Sequence, residues 1–143
     1  MKPEINRIKL YLTALQGLGT DVSPQDLADD DVGCADSCSM VILKAFPKSI
    51  RHSVSTRELY NQLNTSTEFK KVLDFKPGDI IISPTGMGTG NLAHGHVGIV
   101  AENDFIMSNS SANGIWTLNF TIESWVARYR KIGGFPLFSF RKL

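Results

Sequence analysis

Ile5, Ile8, Leu12 and Leu15 recur at helical spacing and Gly17 and Gly19 then interrupt them, so residues 4 to 16 are predicted to form an amphipathic helix with these four on its apolar stripe. The next stretch, Thr20 to Val32, is polar and acidic. Its Asp29-Asp30-Asp31 run reads as a solvated loop that caps the following element, since Asp is favoured there and in a first helical turn. A second helical stripe runs through Cys34, Cys38, Val41, Ile42 and Ala45 and stops before Pro47. Ser55-Thr56-Arg57-Glu58 is a capping-box signal that opens a short helix through about Leu63.

The periodicity then changes. Phe75-Lys76-Pro77-Gly78-Asp79 signals a turn, and Ile80-Ile81-Ile82 is a β-branched run that fits a buried strand. Residues 85 to 90 form a glycine-rich loop that lacks the Lys-Ser/Thr of a phosphate-binding loop and leads into a strand, so it reads as a flexible lip beside a site. Strands are predicted at 96–101 and 105–110 as a hairpin, then at 115–120. A short helix from Ile122 to Tyr129 follows Thr121, and Phe135 to Arg141 alternates as a terminal strand. The plan is α+β: N-terminal helices packed on an antiparallel sheet of about five strands, in a single domain spanning 1–143.

Composition narrows the chemistry by exclusion. Fifteen Lys plus Arg against fourteen Asp plus Glu give a net charge of +1, and no basic run interleaves with aromatics, so nucleic acid is not an expected partner. Two cysteines four residues apart argue against a disulfide scaffold and lack the further Cys/His pair of a zinc site, so neither metal nor cofactor is expected. The N-terminal stretch has no uninterrupted apolar core and no small-residue cleavage site. A cytosolic product without a signal peptide or a membrane span is therefore expected.

The reactive groups are Gly33-Cys34-Ala35, at the start of the second helical pattern, which sets Cys34 at a helix N-terminus, and Gly95-His96-Val97-Gly98-Ile99-Val100, which reads as a strand. A thiol becomes an effective nucleophile when it ionises, and a helix N-terminus and a nearby imidazolium both favour the thiolate. Cys34 begins the stripe. Cys38 lies one turn deeper, where a thiol behaves as a small hydrophobe. The Asp29-Asp30-Asp31 charges work the other way, raising a nearby thiol pKa. Gly95 and Gly98 are expected to leave open space around His96. His94, two residues away, is expected to line the groove, and His52 has no evident partner in the sequence.

Helix-borne GCADSCSMVIL, then KPGDIII, then GHVGIV, then a strand with a polar end resembles, in that order, the NlpC-like and CHAP-type cell-wall hydrolases, papain-like enzymes that cleave peptidoglycan peptides. The resemblance covers about residues 30 to 141. It implies a catalytic Cys at Cys34 and a catalytic His at His96. Pro77-Gly78-Asp79 matches a structural turn of the fold. Ser37-Cys38-Ser39 also resembles the family's nucleophile motif, so Cys38 stays in contention. The third polar residue, often His in the NlpC-like group, is not His here. By analogy Cys34 attacks an amide carbonyl, His96 protonates the leaving amine, water hydrolyses the thioester, and the N–H of Cys34 serves the oxyanion.

The third residue is then a question of register. A four-residue connection, Ala101 to Asp104, pairs 96 with 109 and sets Asn109 beside His96 as the orienting group. A three-residue connection shifts the register by one and brings Ser108 or Ser110 to the His96 side. The expected site is thus Cys34, His96 and Asn109, with His94 and Asp36 as substrate contacts. The expected function is amide hydrolysis in peptidoglycan, as stem-peptide endopeptidase or N-acetylmuramoyl-L-alanine amidase. Such an enzyme acts at the cell wall, delivered as a phage component or through an export machinery. A protein-modifying thiol acyltransferase or deamidase, or a non-catalytic binding module of the same fold, are the alternatives.

Overall fold

Residues 2–23 and 30–143 of the chain are described by a computed structural model, without the side chains of residues 2, 3 and 30–32. Strands β1 (Phe69–Val72), β2 (Ile80–Ser83), β3 (His96–Val100), β4 (Phe105–Asn109), β5 (Trp116–Thr121) and β6 (Phe138–Lys142) form one antiparallel sheet in the order β1-β6-β2-β3-β4-β5. The sixth strand is β1 at the edge. Its Phe-Lys-Lys-Val sequence carries two exposed lysines and no apolar alternation, which suits an edge and hides the strand from a periodicity reading.

Helices α1 (Lys2–Gln16), α2 (Asp30–Ala45) and α3 (Thr56–Thr65) precede or flank the sheet. Ser55 caps α3 by accepting the Glu58 N–H at 3.2 Å. Thr121 and Ser124 form a reciprocal capping box for α4 (Ile122–Trp125), which continues as a π-helical stretch, Val126–Ile132. Asp29 lies outside the described residues. Asp30 begins α2, so part of the acidic run is helix rather than loop.

Strand alternation separates two cores. Ile80, Ile82, Val97, Ile99 and Met107 pack with Leu10, Ala14, Cys38, Val41 and Ile42 on the face covered by α1 and α2. Ile81, Val100 and Ile106 pack on the other face with Trp125, Tyr129 and Phe135. A strand between two cores needs apolar side chains at every position, which accounts for Ile80-Ile81-Ile82.

Helix α1 is rotated from the expected orientation. Leu10 and Ala14 are fully buried, whereas Ile5, Ile8 and Leu12 are 62%, 42% and 51% exposed. Docking of α1 on the turn before β2 accounts for the rotation. Arg7 donates to the Pro77 carbonyl at 2.7 Å, and Gly78, at φ +94°, approaches so closely that a Cβ there would stand 1.9 Å from the Arg7 carbonyl oxygen. Asp79 then anchors the turn, accepting from Arg141 Nε and Nη2 at 2.8 and 2.7 Å and from the Lys76 N–H at 2.8 Å.

The β3–β4 connection decides the site. Ile99 pairs with Met107 and Val100 with Ile106, and the Ala101 N–H reaches the Phe105 carbonyl at 2.7 Å. Three residues, Glu102–Asp104, therefore form the turn, with Asn103 and Asp104 at φ 57° and 62°. This is the shorter connection. Ser108 falls on the His96 side of the sheet and Asn109 on the opposite side.

Candidate active site

His96 is buried at the start of β3, opposite Ser83 of β2, in a box of aromatic rings. Its ring centroid lies 5.2 Å from Trp125, 5.4 Å from Phe120 and 5.7 Å from Tyr129, on which it stacks at 11°. Trp125 is held in turn by its indole N–H, which donates to Ser83 Oγ at 3.0 Å. Gly95 and Gly98 do not open space as expected; they permit close approach. A Cβ at Gly95 would stand 1.8 Å from the Ser83 carbonyl oxygen, and one at Gly98 would meet Ile106 and the Met107 carbonyl at 2.7 Å. Burial, and after it the charge of Arg128, lower the His96 pKa from 6.5 to about 4, so the ring is neutral at neutral pH.

The orienting partner of His96 is Ser108, not Asn109. Nε2 of His96 lies 2.9 Å from Ser108 Oγ, and the Ser108 hydroxyl donates to Asn119 Oδ1. Asn119 Nδ2 donates to the Asn109 carbonyl at 3.4 Å, which turns Oδ1 toward Ser108. The single Ser108 proton is thus committed to Asn119, so Ser108 accepts from His96 and Nε2 carries the hydrogen. Nδ1 is left with its lone pair, ready to take a proton. Asn119 reaches this position through a β-bulge: Ile106 pairs with Phe120 and Met107 with Leu118, leaving Asn119 as the extra residue.

Asn109 works on the other face, where it locks α2 to the sheet. Its Oδ1 accepts from Ser37 at 3.2 Å, and a Cβ at Gly33 would stand 2.9 Å from its Nδ2. Gly33 therefore lets the turn bearing Cys34 approach the end of β4. Through Asn109, Asn119 and Ser108, a chain of hydrogen bonds runs from Ser37, midway along α2, to the His96 ring.

The two cysteines form no disulfide and differ in surroundings. Cys38 is fully buried in the aliphatic core, and burial, reinforced by Cys34, pushes its thiol well above the usual range. Cys34 is 3% exposed, outside that cluster, and its charge contributes, after burial, to raising the Tyr129 phenol pKa. Helix α2 starts a full turn before Cys34, so the Cys34 N–H belongs to the i→i−4 ladder rather than to the unpaired first turn. It is therefore not the oxyanion donor expected above, and the dipole, confined to the first turn, acts weakly on its sulfur.

Next to His96 opens a cavity of about 550 Å³. His94 lines it as expected, with His96, Asn109, Asn119, Arg128 and Tyr129 among the other wall residues. Asp36 does not. It is fully buried and bonded to Ser23 and to His52 Nε2, a partner His52 was not expected to have. With Ser39 and Ser53, whose N–H meets Ser39 Oγ at 3.2 Å, Asp36 binds residues 52–53 to α2. The glycine loop is likewise docked: Thr89 and Gly90 N–H groups share the Gly133 carbonyl at 3.1 and 2.8 Å. Asn119, Arg128 and Tyr129 were not among the expected site residues. A bulge and a π-helical stretch position them, and neither leaves a period in the sequence.

Among solved structures, the fold is similar to a chain of the type VI native effector–immunity complex Tae3–Tai3 from Ralstonia pickettii. The TM-score is 0.59 at 16% identity, over 96% of this chain and 98% of that one. The likeness is one of fold. No protein-family model and no curated protein matches the sequence. The architecture is α+β, with helices on an antiparallel sheet of six strands rather than about five.

Proposed function

We propose that this chain is a cysteine hydrolase that cuts an amide bond of peptidoglycan, with Cys34 as nucleophile and His96 as general base and acid. The observation that carries the reading is the committed tautomer of His96: Nε2–H is held by Ser108, itself bonded to Asn119, which leaves the lone pair on Nδ1 of a ring that lines a polar cavity. The order of the cysteine, Pro-Gly-Asp and His-Val-Gly-Ile motifs and the full-length likeness to a chain of an effector–immunity complex support it.

Nδ1 takes the proton of Cys34 Sγ as the sulfur attacks the substrate carbonyl carbon. The tetrahedral adduct collapses, the C–N bond breaks, and the imidazolium returns the proton to the departing amine. Water then adds to the thioester, with Nδ1 accepting one of its protons. The C–S bond breaks, the carboxylic acid leaves, and the thiol is restored. The neutral resting imidazole suits base catalysis from a thiol–imidazole pair rather than from a preformed ion pair. In this reading Ser108 takes the positioning role expected of Asn109, and the protein is an antibacterial effector, exported to the cell wall and paired with an immunity protein.

Incubation with purified peptidoglycan, followed by mass spectrometry of the soluble products, tests the reading. Fragments carrying a new amine and a new carboxylate at one amide position are expected from the wild type and not from Cys34→Ala. Products cut only at glycosidic bonds, or no products from the wild type, would overturn it.

A further inference from the structure

The π-helical stretch Val126–Ile132 is the least regular element near the site, and such segments recur where a fold is bent to function. Two of its carbonyls skip the α-helical spacing: Arg128 accepts from Gly133 at 3.0 Å and Tyr129 from Phe135 at 2.8 Å. The wide winding turns two consecutive side chains, Arg128 and Tyr129, to the cavity beside His96. The Arg128 guanidinium carbon lies 5.6 Å from the Tyr129 ring centroid, and the Tyr129 ring stacks on His96.

Among the described residues, no Asp or Glu lines this cavity. Its charge is that of Arg128, and its other polar groups include neutral Asn109, Asn119 and Ser110. Phe120 and Leu92 supply apolar wall, and Arg128 is exposed to an incoming ligand. A planar guanidinium backed by an aromatic ring, in a cavity that also holds the Ser110 and Ser111 hydroxyls, matches a carboxylate in shape and charge. It repels an ammonium group.

We infer that Arg128 forms a carboxylate subsite, which selects stem peptides presenting a free carboxylate next to the amide bond to be cut. The inference rests on the hydrolase reading above for the identity of the peptide, and it assigns Arg128 to substrate specificity rather than to bond cleavage. A carboxamide in the same place has the shape of a carboxylate and lacks its charge, so amidated peptides bind less well.

Calorimetric titration of the full chain separates the two readings, because it measures binding whether or not an amide is cut. The ligands are a peptidoglycan stem peptide with free carboxylates and the same peptide with these converted to carboxamides. Wild type is expected to bind the carboxylate form about tenfold more tightly or better, as loss of one charge-assisted bidentate contact implies. Arg128→Gln is expected to bring the two within about twofold, and Arg128→Lys to keep part of the preference as a point charge. Equal binding of both peptides by wild type, no binding of either, or a preference that survives Arg128→Gln would overturn the subsite. A preference for the carboxylate without cleavage would leave the subsite standing and overturn the hydrolase reading. Cleavage without the preference would do the reverse.

Discussion

On the face of the sheet covered by α1 and α2, Cys38 is buried among aliphatic side chains; on the other, His96 is buried among Phe120, Trp125 and Tyr129. The same desolvation acts on both. It raises the thiol pKa and lowers the imidazole pKa, so each group is held neutral. The consequences diverge with the chemistry. A neutral thiol in an aliphatic core is inert, whereas a neutral imidazole with one nitrogen anchored and the other bearing a lone pair is a competent base. The aromatic face also carries the polar relay from Ser108 to Asn119, so its burial adds order without leaving the ring unsatisfied.

Exchanging single groups on either face tests this division, and the nucleophile gives the largest effect. Cys34→Ala is expected to lower kcat by at least about 1,000-fold with the fold intact, because removal of the attacking atom leaves only binding and electrostatic assistance. Cys38→Ala is expected to retain substantial activity while losing about 1 kcal/mol of stability, as a small core truncation does. Steady-state rates and denaturant unfolding of the two variants check both statements. The reverse pattern would move the nucleophile to the aliphatic core.

The relay gives the next effect. Ser108→Ala frees the His96 ring to choose its tautomer and is expected to lower kcat roughly 10- to 1,000-fold with KM little changed, short of the cost of losing the ring itself. Asn109→Ala removes the bond to Ser37 and is expected to show mainly as about 1–2 kcal/mol of lost stability. A large fall in kcat at Asn109 with an unaffected Ser108→Ala would restore the longer-turn arrangement.

The pH dependence gives the smallest effect. The imidazole must be neutral to act as base, so kcat/KM is expected to fall on the acid side with a midpoint at about 4, not at 6.5. Stability should follow the same group. The unfolded chain binds the His96 proton below about 6.5 and the folded chain resists it until about 4, so unfolding free energy decreases as pH drops through that interval. The loss is on the order of 3 kcal/mol, and chemical denaturation of wild type beside His96→Gln at several pH values isolates it. An acid limb near 6.5 would mean that the ring is solvated in the working enzyme.

Much of this organisation is legible in the sequence, and the limits are physical. The α2 stripe, the capping signal at Ser55, the turn before β2 and the hairpin of β3 and β4 follow from local periodicity and turn chemistry, and all are present. The rotation of α1 does not follow, because Ile5, Ile8 and Leu12 satisfy helical spacing as well as Leu10 and Ala14 do; docking against Gly78 and Pro77 chooses between them. The third site residue turns on one residue of loop length. Glu102-Asn103-Asp104 makes a tight turn because Asn and Asp accept the left-handed conformation, and that choice exchanges Asn109 for Ser108. Asp36 and His52 lie far apart in sequence and find each other only through tertiary folding.

Peptide-mapped alkylation with iodoacetamide at neutral pH, followed in parallel with hydrolytic activity, tests most directly the division between a reactive and a silenced thiol. The adduct is expected on Cys34 alone, with activity lost in step with its formation and Cys38 unmodified. Modification of Cys38 in step with inactivation, or full activity after complete alkylation of Cys34, would contradict it.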